Sequence, residues 1–180
     1  MKKGVLSIDV ESNGLYGFAF VIGAVVIDYD NPWEIVDSYA SKYKIIGKID
    51  PFVEKNVISA CKSIPLADLN KSYSRWLLDF AIFYKKYKDD YDIVCHIPYP
   101  VETNLFKHMI DKGVINELEA PYPIYCPSSL LLKEGYDPLS VDQYYSEVLD
   151  RNTDDNIVVH NPYWDAIVAG RVFIDLLTKE

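Results

Sequence analysis

Leu6, Ile8 and Val10 alternate with Ser7, Asp9 and Glu11 near the start of the chain, the two-residue period of an extended segment with one apolar side. This predicts a strand over residues 5–10. A second follows over 18–28 around the run Ile22-Gly23-Ala24-Val25-Val26-Ile27, and a third over 35–46. Ser12-Asn13-Gly14 and the stretch from Asp28 to Pro32 supply the turns, so the simplest reading is an antiparallel meander. From Asn70, a candidate N-cap, the period lengthens: Tyr73, Trp76, Leu77, Phe80, Tyr84 and Tyr87 recur every three or four residues, as on a helix with one buried stripe. A short strand over 91–97 comes next, then a helix over 100–112 stopped by Gly113, a proline-bounded strand over 121–126, and a helix over 139–149. The last helix, over 163–177, is preceded by Asn161 as cap and Pro162 as a favoured first residue. No internal repeat is visible. Three strands followed by alternating helices and strands predict an α/β fold, a mixed five-stranded sheet with helices on both faces.

Length and composition narrow the class. With 180 residues, 49% of them apolar, and 10 scattered prolines, the chain can bury a core without staples, and it reads as one domain over residues 1–180. The balance of 18 basic against 27 acidic residues, a net charge of -9, argues against a protein that grips long duplex DNA with a basic face. It leaves room for short nucleic acid met through a hard cation held by carboxylates. Cys61, Cys95 and Cys126 stand far apart, with neither a disulfide framework nor a zinc ribbon in their spacing. The N-terminal apolar run is broken by Asp9 and Glu11 and is too short for a signal peptide, and no segment approaches the roughly 18 uninterrupted apolar residues of a membrane helix. The expectation is a soluble, cytoplasmic protein with no membrane partner.

Candidate chemistry gathers on acids at the ends of elements. Asp9 and Glu11 share one side of the first strand, about 7 Å apart. Alone, such a pair reads as the wet side of an amphipathic strand. A first strand followed by a wholly apolar second one is, however, expected to be central and covered, and buried carboxylates then need a cation. Glu102 heads the inward stripe Glu102, Leu105, Phe106, Met109, although an acid in a first turn also suits the helix dipole. Asp165 heads Asp165, Ala169, Val172, Phe173, Leu176, with His160 just before the cap. Four acids and one imidazole suit two Mg²⁺ or Mn²⁺ ions and the hydrolysis of a phosphodiester, with the histidine taking the proton from water.

Asp9-Val-Glu11-Ser12-Asn13-Gly14-Leu15 resembles the first motif of the DEDDh 3′-to-5′ exonucleases, the superfamily of proofreading polymerase subunits, oligoribonuclease and ribonuclease T. The run from Ile22 to Asp28 is similar to its second strand, and His160 with Asp165 and Ala166 to its third motif. The resemblance implies a ribonuclease H-like fold. It also implies metal ligation by Asp9, Glu11 and Asp165, His160 as general base, backbone near Ser12 and Asn13 holding the terminal nucleotide, and Leu15 wedged against its base. Where the family has Asp at a helix start, Tyr99-Pro100-Val101-Glu102-Thr103-Asn104 offers Glu102, one methylene longer, as the fourth ligand, with Asp90 and Asp92 as fallback acids.

The expected function is a metal-dependent 3′-to-5′ exonuclease acting on single-stranded or short RNA or DNA with a free 3′ end. The alternatives are a drifted module that binds nucleic-acid ends without cleaving them, and a phosphodiesterase acting on nucleotides or dinucleotides. Most of the 15 tyrosines are expected in the core or at the rim, and the aromatic-rich composition is compatible with a homodimer. Lys85, Lys86 and Lys88 read as a solvated helix face, and His96 and His108 as structural.

Overall fold

Strand β1 (Gly4–Ser12) has a neighbour on each edge, and this decides where everything else goes. It pairs antiparallel with β2 (Ala19–Asp28), which pairs antiparallel with β3 (Ile35–Lys42); on its other edge β1 pairs parallel with β4 (Tyr91–Val94), giving the order β3-β2-β1-β4. The expected meander is present and β1 is central. The computed structural model describes residues 2–149 and 160–179.

One face of the sheet offers Leu6, Ile8, Val10, Ile22, Ala24 and Val26 to helices α1 (Tyr73–Tyr87) and α2 (Val101–Asp111). These helices answer with Trp76, Leu77, Phe80, Tyr84, Leu105, Phe106 and Met109. The other face, with Val5, Val25 and Ile27, packs on Ala166, Ile167, Phe173 and Ile174 of α5 (Pro162–Thr178). Because both faces are covered, β2 is apolar nearly throughout and the polar side of β1 meets a helix rather than water. Short helices α3 (Ser128–Lys133) and α4 (Val141–Tyr144) pack outside α5 through Leu131, Val141 and Tyr144. Arg171 of α5 is buried, donating to the Pro32 and Trp33 carbonyls and the Tyr145 hydroxyl, and so ties that helix to the β2–β3 turn.

The approach of α5 to the sheet depends on Gly23. A Cβ there would lie 2.2 Å from the Pro162 carbonyl carbon and 2.4 Å from the Tyr163 nitrogen. Gly23 is the register partner of Asp9, so the start of the last helix is pressed against the strand pair at the level of the first acid.

Four corrections to the expected elements have local causes. The sheet has four strands rather than five: residues 121–126 contribute an isolated bridge from Tyr125 to Val94, since Pro121, Pro123 and Pro127 carry no N–H for a ladder. Helix α1 begins after Ser72, whose side chain accepts from the Arg75 N–H, while Asn70 is occupied by Asp68. Strands β3 and β4 stop at Lys42 and Val94, short of 46 and 97. The helix expected over 139–149 is one α-helical turn, α4, running into a wider π turn over Tyr145–Leu149. The lysines behave as read: Lys85 pairs with Glu119, Lys86 with Asp37 and Lys88 with Asp89. Among the described residues no helix is long and apolar enough to cross a membrane.

Candidate functional site

Asp9 and Glu11 leave β1 on the face covered by α5, and Asp165 lies in the first turn of that helix. Ligand oxygens of these three acids all lie within 4.8 Å of one another. Their meeting has identifiable local causes. The Asn161 side chain caps α5 by accepting from the Tyr163 N–H at 3.2 Å, Pro162 is preset for a first helical turn, and Gly23 admits the helix start. Asn161 also donates to the Ala60 carbonyl at 3.0 Å, and the Cys61 thiol donates to the His160 carbonyl at 3.3 Å. His160 thus enters the helix with φ of 63° on a fixed segment.

His160 Nδ1 lies 3.5 Å from Glu11 Oε1, and the Phe52 ring meets the imidazole edge-on at 5.7 Å between centroids. The cleft so formed, of about 180 Å³, is lined by Asp9, Val10, Glu11, His96, Val141, Asp142, His160 and Asp165. His96 and Asp142 were absent from the sequence-based set. Asp142 had a signal, because it lies in the first turn of a predicted helix ahead of the apolar Tyr144 and Tyr145, much as Asp165 leads its own helix. His96 is placed by topology, at the C-terminal end of the strand beside β1.

Glu102 is buried close by but stands outside the group of three acids. Strand β4 pairs with β1 only as far as Ser7, and beyond that end Glu102 Oε1 accepts from the Val10 N–H at 3.1 Å. Glu102→Gln keeps that acceptor and is expected to hold stability near the original. Glu102→Ala orphans the amide and should lose about 1–3 kcal/mol in urea unfolding.

Ser12 and Asn13 shape the β1–β2 turn: Ser12 Oγ donates to the Gly14 carbonyl, and Asn13 donates to the Ile46 and Lys48 carbonyls while accepting from the Asp50 N–H. Leu15 and Tyr16 project from the turn into solvent, and the Tyr16 ring meets Tyr99 edge-on. Asp90 pairs with Lys3 and Asp92 accepts from Tyr29, so neither fallback acid takes part. His108 stacks on Phe18, in keeping with a structural role.

The electrostatics are those of crowded carboxylates. Burial, and then the charge of Asp142, push the Asp165 carboxyl up to about 8. Burial and the neighbouring Asp165 and Glu102 raise Asp9 well above the ordinary range, and burial takes Glu102 up to about 8. His160 is raised by its hydrogen bond to Glu11. An all-oxygen, all-acidic donor set under mutual repulsion fits a hard divalent cation such as Mg²⁺ or Mn²⁺. For acids raised on folding, the stability they contribute is full below their unfolded values near 4 and is lost as pH climbs through about 8. In chelator, therefore, melting temperature is expected to fall between pH 5 and 8, and Mn²⁺ should restore it most at the upper end of that range. A melting curve independent of both pH and metal would contradict this.

No protein-family model matches the chain, and no curated protein does. Among solved structures, the fold is similar to that of exonuclease X in complex with 5′ overhanging duplex DNA. The TM-score is 0.57 at 20% identity, over 96% of this chain and 90% of that one.

Proposed function

We propose that this chain is a metal-dependent 3′-to-5′ exonuclease that hydrolyses the terminal phosphodiester of single-stranded or short nucleic acid. The observation that carries the reading is the meeting of Asp9, Glu11 and Asp165 beside His160 at the end of the central strand. The likeness in fold to an exonuclease solved with DNA supports it. Asp9, Glu11 and Asp165 would hold the cation, with Glu102 behind them. A divalent ion bound there supplies an acidified water and charge stabilisation at phosphorus.

The chain's own residues do the rest. Glu11 orients the His160 ring through Nδ1, which leaves Nε2 to take the proton of the attacking water. Leu15 and Tyr16, exposed at the turn, would meet the terminal base. The bond from phosphorus to the 3′ oxygen breaks, releasing a nucleoside 5′-monophosphate and a strand shorter by one with a 3′ hydroxyl.

The test is a 5′-labelled oligonucleotide incubated with Mg²⁺ or Mn²⁺. A ladder shortening from the 3′ end is expected. Absence of cleavage in both metals, or equal cleavage by Glu11→Gln, overturns the reading. One observation favours the end-binding module instead, namely the engagement of Glu102 by Val10. Calorimetry with a nucleoside monophosphate separates the two: about two ions per chain for the enzyme, one or none for the module.

A further inference from the structure

The cleft holds a second imidazole. His96 lies just beyond β4, beside Asp142, and lines the same 180 Å³ space as His160. Its Nε2 is 3.0 Å from the Pro138 carbonyl oxygen. A carbonyl oxygen only accepts, so Nε2 carries a proton and donates it there, and Nδ1 has no protein partner among the described residues. The backbone around it is fixed. Strand pairing has ended, and the next residue, Ile97, takes φ of 52° with its N–H donating to Cys126 Sγ at 3.3 Å. A β-branched residue adopts that conformation at a cost, and such strain gathers at functional positions.

In-line hydrolysis has two proton demands on opposite sides of phosphorus: the attacking water loses one, and the departing 3′ oxygen gains one. His160 cannot serve both sides. Building on the exonuclease reading, we propose that His96 is a second catalytic residue, the general acid that gives its Nδ1 proton to the leaving 3′ oxygen. The step balances as follows. The water oxygen bonds to phosphorus as its proton passes to His160 Nε2. The electron pair of the breaking P–O3′ bond goes to O3′, which takes the His96 proton. His96 is left neutral with its Nε2–H still on Pro138, and exchange with solvent returns both rings to their starting states.

The experiment uses the full chain in Mn²⁺ and two oligonucleotides of one sequence, the second with sulfur in place of the bridging 3′ oxygen of the terminal linkage. A thiolate leaves without being protonated. His96→Gln keeps a donor for Pro138 but has no proton to give up. It should lower cleavage of the oxygen oligomer by about 100-fold or more and leave the sulfur oligomer near its original rate. His96→Ala should regain part of its oxygen-oligomer activity when imidazole is added. Equal losses on both oligomers, no loss on either, or an unaltered chain that cleaves the oxygen oligomer but not the sulfur one would overturn the assignment. If the unaltered chain cleaves neither oligomer, the exonuclease reading itself falls, an outcome distinct from all three.

Discussion

In chelator at pH 9, Asp165→Asn is expected to melt higher than the unaltered chain, while its hydrolysis of oligonucleotides in Mn²⁺ falls by at least about 100-fold. The opposed signs have one source. Asp165 lies within 4.8 Å of the ligand oxygens of Asp9 and Glu11, and burial with the charge of Asp142 already lifts its carboxyl to about 8. Asparagine has nearly the same volume, so the cap on Asn161 and the packing of α5 are retained while one of the repelling charges is removed. Each kcal/mol regained raises the melting temperature by about 2–4 °C in a chain of this size. With Mn²⁺ present the order should reverse, since the unaltered chain gains from the ion and the variant has lost a ligand. Paired melting curves with and without metal are the measurement. A variant that melts lower in chelator, or that keeps its activity, would show that these acids do not form a repelling cation site.

Gly23→Ala should destabilise the chain by about 3 kcal/mol in chemical unfolding and abolish metal-dependent cleavage. The new carbon would sit 2.2 Å from the Pro162 carbonyl carbon, and the three nearest atoms it meets are all backbone, with no flexible side chain to swing aside. Relief requires the start of α5 to lift from the sheet, and that movement carries His160 and Asp165 away from Asp9 and Glu11. The double effect is diagnostic, because an ordinary core overpacking would reduce stability and leave the residual folded fraction active. Unchanged unfolding and unchanged cleavage would mean that the helix start is not where these contacts put it.

The sequence made the central part of this arrangement readable because it was written in local patterns. The alternation in β1, the apolar run of β2 and the cap-proline-acid order before α5 are each decided within a few residues, and each appears in the structure. Their convergence also followed, since a first strand beside a fully apolar one has to be covered. What escaped depended on distant partners. The proline-bounded segment at 121–126 looked like a strand by flanking residues, yet a ladder needs N–H groups and finds only Tyr125 suitably placed. His96 seemed isolated because its neighbours in sequence carry no acid; Asp142 and Pro138 reach it only through folding. Glu102 was found as an inward acid, but its bond to Val10 depends on where β4 stops, which a composition-based boundary misplaced by three residues.

The distribution of the acids over the first strand and the last described helix has a bearing on how the molecule comes into being. While a ribosome is still making the chain, Asp9 and Glu11 have emerged but Asp165 has not, so the nascent polypeptide has no complete cage for an ion. Divalent cations are therefore expected to leave the folding rate unaltered and to slow unfolding, because their hold begins only after α5 has docked. Any hydrolytic capacity is likewise withheld until Asp165 has been added and α5 has docked on the sheet.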